Sequence, residues 1–171
     1  TSRKASIDAG NKLAQTLIWK KNCMVMGRQD YQWQHEPCLY GWKEGAGHTW
    51  YSDRKQTTIL EFDKPVWDDK HPTMKPVPLI SYQVNNSSKR GDKVGDGFLG
   101  SGTTMVSSHK LLRTCYGMEL DPKFCHVIID RMLTLDPDIL VLRNGERITL
   151  AYICDDVAET GQLDCAMIVV H

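Results

Sequence analysis

The first apolar run, Leu13 to Lys20 (Leu-Ala-Gln-Thr-Leu-Ile-Trp-Lys), follows Ala9-Gly10 and reads as a strand, with the glycine ending a preceding helix and letting the chain turn. From Asn22 to Gln34 the chain is polar with interleaved aromatics. Glu36 to Trp42 then predicts a second strand behind that loop. Lys43, His48, Arg54 and Lys55 surround the breakers Gly45 and Gly47, which predicts a surface insertion over residues 43–56. Thr57 to Phe62 mixes β-branched and polar residues and predicts a third strand, broken by Pro65 and Asp68-Asp69. Beyond His71-Pro72, the positions Val77, Leu79, Ile80 and Val84 fit one face of a short helix, with Pro76 and Pro78 tolerated in its first turn.

The middle of the chain is better signposted. Lys93 to Asp96 predicts a brief strand, Gly97 to Gly102 a glycine-rich turn, and Thr103 to Leu112 a helix. Tyr116 to Leu120 is the next strand. Asp121 is then a natural helix N-cap, Pro122 suits the first helical position, and Phe124, Val127, Ile128 and Met132 form an apolar stripe. The succession is a βαβα unit, so the expected fold class is α/β. Ile139 to Arg143 and Glu146 to Leu150 flank Asn144-Gly145, whose preference for positive φ predicts a hairpin near the C-terminus. From Asp155 onward the pattern predicts nothing. The expected organisation is one domain over residues 1–150 and a tail over 151–171.

Composition narrows the class. The chain has 171 residues, 41% of them hydrophobic, enough for one domain with a core. No apolar stretch approaches the ~20 residues of a membrane helix, and no charged-then-apolar leader opens the chain, so a soluble, cytoplasmic protein without a membrane partner is expected. Its six cysteines contain no C-x-x-C pair, which argues against zinc and against a disulfide framework. Net charge is zero but unevenly spread: residues 1–60 hold nine Lys or Arg against five Asp or Glu. A polyanion should therefore meet the first third. The candidates for DNA contact there are Lys20, Lys21, Arg28, Lys43, Arg54 and Lys55, with Trp33 and Trp42 nearby.

The candidate chemistry lies in the run Asp96-Gly97-Phe98-Leu99-Gly100-Ser101-Gly102. A tight glycine turn after a strand lets the backbone approach a cofactor and aims the next helix's amides at it. Glu119, at the end of the following strand, can accept hydrogen bonds from the hydroxyls of a ribose. Together they indicate an adenosine-containing cofactor. A nicotinamide-dependent oxidoreductase is one reading of this pair, although the third position of a dinucleotide fingerprint is here Met105 rather than glycine.

Three ordered motifs make the reading more specific. His71-Pro72-Thr73-Met74-Lys75-Pro76, then Asp96 to Thr104, then Tyr116-Gly117-Met118-Glu119-Leu120-Asp121-Pro122 resemble the DNA N6-adenine and N4-cytosine methyltransferases of the β motif order. Leu17 to Asn22 and Gly27 to Gly41 also look like that family's middle section, so the resemblance covers about residues 10 to 150. It implies a Rossmann-like core that binds S-adenosylmethionine and acts on double-stranded DNA in a restriction-modification setting. By the same resemblance, Thr73 and Lys75 would meet the methionine end of the cofactor, and Phe98 would pack on it. Asp96, Gly100, Ser101, Gly102 and Thr103 would line the turn, and Glu119 would hold the ribose.

The chain departs from that family in several places. The catalytic signature, an Asp, Asn or Ser followed by Pro-Pro and an aromatic residue, is missing, since no Pro-Pro occurs anywhere. No catalytic residue is therefore assigned, and the tetrapeptide is expected upstream of Thr1, making the domain N-terminally incomplete. Gly97 stands where the family has proline and Gly95 where it has a large aliphatic, which leaves a core strand position unfilled. These departures allow a catalytically silent remnant, or a split subunit complemented by an N-terminal polypeptide or a second copy.

Overall fold

The computed structural model describes residues 2–65, 74–143 and 145–147, and the backbone of 166–170. The chain divides into two compact units, Thr1–Val66 and Trp67–His171.

In the first unit, helix α1 (Ser2–Asp8) stops at Gly10, whose φ of 76° is the left-handed conformation that favours glycine. Strand β1 (Asn11–Val25) then runs antiparallel to β2 (Trp33–Lys43), while β3 (Ile59–Glu61) joins the other side of β1 in parallel. The polar stretch expected as a loop over Asn22 to Gln34 is shorter than its composition suggests. Antiparallel pairing carries β1 on to Val25 and begins β2 at Trp33, so exposed polar side chains occupy strand positions. Register slips between Leu13 and Gln15, and Gly41 lies opposite, where a Cβ would collide with the Lys12 carbonyl. Trp19 and Leu60 are buried on the β1–β3 pair, and Trp19 Nε1 donates to Phe62 O at 2.7 Å.

In the second unit, α2 (Val77–Ser87) starts behind Pro76 and packs on α3 (Thr103–Lys110). Strand β4 (Lys93–Asp96) pairs in parallel with β5 (Thr114–Glu119) through the α3 crossover, giving the expected βαβ unit. Helix α4 (Pro122–Leu135) follows, its N-cap Asp121 accepting from Lys123 N at 2.9 Å. The core joins Leu99, Met105, Val106, Cys115, Ile128 and Met132. On α4 the buried seam is therefore Cys125, Ile128 and Met132, and Phe124 and Val127 of the expected stripe stand half-buried beside it. Among the described residues the hairpin pairs β6 (Leu142–Arg143) with β7 (Glu146–Arg147), with Gly145 at φ 87°, and the rest of the expected second strand, Ile148 to Leu150, lies outside the described residues. The silent tail supplies β8 (Ala166–Val170), antiparallel to β5. Its apolar residues lack turn punctuation close by, so sequence pattern alone missed it.

Candidate functional site

Parallel β4 and β5 end side by side, with Asp96 paired to Gly117 and Glu119 two residues further on. That common carboxyl edge is where open α/β sheets present ligand-binding loops. The chain leaves β4 through a turn that Asp96 Oδ1 closes by accepting from Phe98 N at 2.9 Å. Leu99 then dives into the core, its amide donating to Met118 O at 3.0 Å. Its side chain covers Gly117, where an added Cβ would collide with it. Gly100 and Gly102 both have left-handed φ, 53° and 78°, and Gly102 N donates to Leu99 O at 2.8 Å. A Cβ on Gly102 would approach Ile128 Cγ1 to 2.9 Å, so backbone and packing both demand glycine there.

Glu119 turns back onto this loop. Its Oε2 accepts from Gly100 N at 2.7 Å, and its Oε1 accepts from Leu120 N and Asp121 N, each at 2.9 Å. Three of the roughly four acceptor positions of a carboxylate are thus used by described residues, leaving room for one more donor on Oε2. Thr103 Oγ1 donates to Lys75 O at 3.3 Å and Ser107 Oγ to Val77 O at 3.4 Å, which brings the Met74 to Val77 segment against the start of α3. Asp96, Phe98, Gly100, Ser101, Gly102, Thr103, Glu119 and the exposed Lys75 therefore lie around one turn. Thr73 lies outside the described residues.

Phe98 is 94% exposed and packs on nothing described in the protein. Gly95, Gly97 and Gly100 also face open space, with no described atom within 4 Å of an added Cβ. Gly95 therefore corrects the expectation of an unfilled core position: it is an exposed strand position beside the turn. Met105, by contrast, is fully buried where a dinucleotide fingerprint would need glycine.

One contact was not anticipated. The Arg131 guanidinium on α4 donates through Nη1 to the Ser101 carbonyl, and reaches Ser101 Oγ at 3.2 Å and Thr103 Oγ1 at 3.5 Å. Burial lowers the Arg131 pKa below its ordinary value. The only sequence signal was a lone cation between Ile128 and Met132, on a helix face that is otherwise apolar.

The six basic candidates for DNA contact belong to the first unit and differ in their engagement. Lys21 is buried at 7%, paired to Glu36 at 2.6 Å, with its ammonium 5.2 Å from the Trp19 ring centroid. Lys20 pairs with Glu61 at 2.7 Å while staying exposed. Lys43 Nζ donates to Ala9 O at 2.7 Å, capping the end of α1. Arg28, Arg54 and Lys55 are exposed. The insertion carrying the last two is held by an aromatic cluster. Trp42 stacks on His48 at 4.1 Å, Tyr40 Oη is 2.8 Å from His48 Nε2, and Trp50 Nε1 donates to Asp53 O at 2.9 Å.

A family model described as DNA methylase matches residues 2–130. The chain is 30% identical over 131 residues to the type II methyltransferase M.SmaI of Serratia marcescens, an overlap of 68% of this chain and 45% of that protein. It is 36% identical over 66 residues to the type II methyltransferase M2.DpnII of Streptococcus pneumoniae, covering 39% of this chain and 25% of that one. The chain thus spans less than half the length of these relatives. Among solved structures, the M1.HpyAVI–SAM complex superposes with a TM-score of 0.65 at 23% identity, covering 75% of this chain and 66% of the other. The cytosine-N4-specific PvuII DNA methyltransferase superposes at 0.66 and 15% identity, covering 90% and 59%. At these identities the likeness shows the fold, a Rossmann-like α/β core.

Proposed function

This chain belongs to the N6/N4 DNA methylase family, and from that premise we propose that its second unit is the S-adenosylmethionine site of a DNA amino-methyltransferase. The observation that carries the reading is the Glu119 carboxylate bonded to the Gly100 amide, at a turn flanked by exposed glycine backbone and by Lys75.

The residues present fit the cofactor. Open space beside Gly95, Gly97 and Gly100 leaves backbone accessible to a ligand, and the exposed Phe98 ring offers an apolar face. Glu119 Oε2 would accept from a ribose hydroxyl and the Lys75 ammonium would pair with a carboxylate, with Thr73 in the same motif as Lys75. The first amides of α3 have no intrahelical acceptor and favour an electron-rich partner, while the Gly100 and Gly102 amides are already held by Glu119 Oε2 and Leu99 O and shape the turn instead. When bound, S-adenosylmethionine supplies an electrophilic methyl group on its sulfonium.

The target amine needs its hydrogens held by a side-chain oxygen and a carbonyl, and its base must leave the duplex. No Pro-Pro-aromatic segment is present in these 171 residues to do this. We therefore assign cofactor binding and part of the DNA contact to this chain, with methyl transfer requiring a tetrapeptide supplied by another segment or polypeptide. Arg28, Arg54 and Lys55 are the strongest phosphate contacts among the basic candidates.

Calorimetric titration with S-adenosylmethionine and S-adenosylhomocysteine tests the assignment. Binding of both by the folded chain is expected, and binding of neither would refute it. Transfer of labelled methyl to DNA by the chain alone would overturn the need for a complementing segment.

A further inference from the structure

The Ser101–Gly102 peptide is fixed at both ends. Its carbonyl accepts from Arg131 Nη1 and its N–H donates to Leu99 O at 2.8 Å. Leu99 is itself anchored, 5% exposed, over the bare Cα of Gly117. Two residues back, Gly100 N donates to Glu119 Oε2 at 2.7 Å. Arg131 also reaches the two side chains that flank the helix start, Ser101 Oγ and Thr103 Oγ1. A half-buried guanidinium is an expensive way to satisfy one carbonyl, because burial opposes its charge.

A structural tie for α4 alone would be met by a neutral donor. The charge has a second consequence, since it lies beside the N-terminal end of α3, where the helix dipole is already positive. The two fields add, so this turn repels cations and favours an anionic ligand group such as a carboxylate.

We propose that Arg131 is a positioning residue for the cofactor turn: it fixes the Ser101–Gly102 peptide, and with it the direction of the turn's free amides, and its charge raises the affinity for the ligand's carboxylate. The assignment rests on the cofactor reading above. It adds a residue on α4, outside all three sequence motifs that carry that reading.

The test uses the full chain with Arg131→Lys, Arg131→Gln and Arg131→Met, each first shown to be folded by its thermal midpoint and worked with well below that temperature. Affinity for S-adenosylhomocysteine should fall about tenfold or more in Arg131→Met. Arg131→Gln should recover the amide geometry without the charge effect, and Arg131→Lys the charge effect without the fork. The second readout needs no ligand: amide exchange at Gly100 to Thr103 should accelerate in Arg131→Met while exchange in β5 stays unchanged. If the wild type binds no cofactor, the site reading fails, and the exchange readout still judges the brace. If the wild type binds and all three variants bind equally, with unchanged exchange at the turn, Arg131 does not position it. Where one variant does not fold, the other two decide.

Discussion

Glu119 and Gly100 are joined across the carboxyl edge of the β4–β5 pair by a 2.7 Å hydrogen bond from the glycine amide to Oε2. The same carboxylate caps the amides that lead into α4, so one side chain fixes the exits of two parallel strands. Replacing it should affect binding more than stability. Glu119→Ala frees three amides at a surface that water can reach, a loss of about 1 kcal/mol. It also deletes the ribose acceptor, so affinity for S-adenosylhomocysteine should drop at least about tenfold. Glu119→Gln keeps one oxygen but sets an NH2 against a neighbouring donor, and should fall between the two. Titration calorimetry beside urea unfolding separates the effects. Equal affinity in Glu119→Ala would remove Glu119 from the site.

The glycines of the turn are unequal, and their substitutions should differ in sign. Gly102→Ala demands a left-handed φ of an L side chain and pushes it towards Ile128, so it should destabilise by about 1–3 kcal/mol. Gly97 has an ordinary φ and open space around it. Gly97→Ala should be neutral or stabilise by about 0.4–1 kcal/mol through the unfolded chain. Urea midpoints measured side by side check the ordering.

The elements that sequence revealed are those whose signals are local. Asp121-Pro122 set the start of α4, Gly102 the start of α3, and Asn144-Gly145 the hairpin, because caps and turns act within a few residues. Glu119 emerged from its spacing after the glycine turn and Lys75 from the family resemblance, and both lie at that turn. What spacing could not show was non-local. Pairing to β5 makes β8 a strand, pairing with β2 extends β1 through polar residues, and the Arg131 contact spans 30 positions. Lys21 and Arg54 likewise look alike in composition, yet one is buried against Glu36 and the other is exposed.

Cys115 should give the second unit an alkaline limit. It is fully buried, and burial pushes its thiol from 9.0 up to about 11, with Asp96 adding to the rise and the Ser108 hydroxyl opposing it. The folded state holds this proton more tightly than the unfolded chain. The contribution is therefore complete below pH 9.0 and is lost as pH climbs through about 11. Unfolding midpoints should decline over that window. Cys115→Ala should lower the midpoint at pH 7 by leaving a cavity, and flatten the alkaline decline. Labelling supports the same contrast: exposed Cys23 should react with a thiol reagent in the folded chain while Cys115 and Cys125 stay protected.

The basic residues of the first unit should separate into two groups when DNA binding is measured against salt. A lysine or arginine that contacts phosphate releases counterions, so its loss lowers the slope of log K against log salt by about one. Arg54 and Lys55 are exposed, on an insertion stiffened by the Trp42–His48 stack, and are placed to make such contacts. The double reversal Arg54→Glu with Lys55→Glu should weaken binding and reduce the slope by about two or more. Lys21 lies under Trp19 with its charge matched by Glu36. Lys21→Met should leave the slope unchanged while destabilising the fold by about 1–3 kcal/mol, because the ion pair of a buried ammonium with Glu36 is lost. Fluorescence anisotropy with a labelled duplex at several salt concentrations, beside urea unfolding, measures both quantities. A slope lowered by Lys21→Met but not by the double reversal would move the phosphate contacts from the insertion to the β1–β2 sheet.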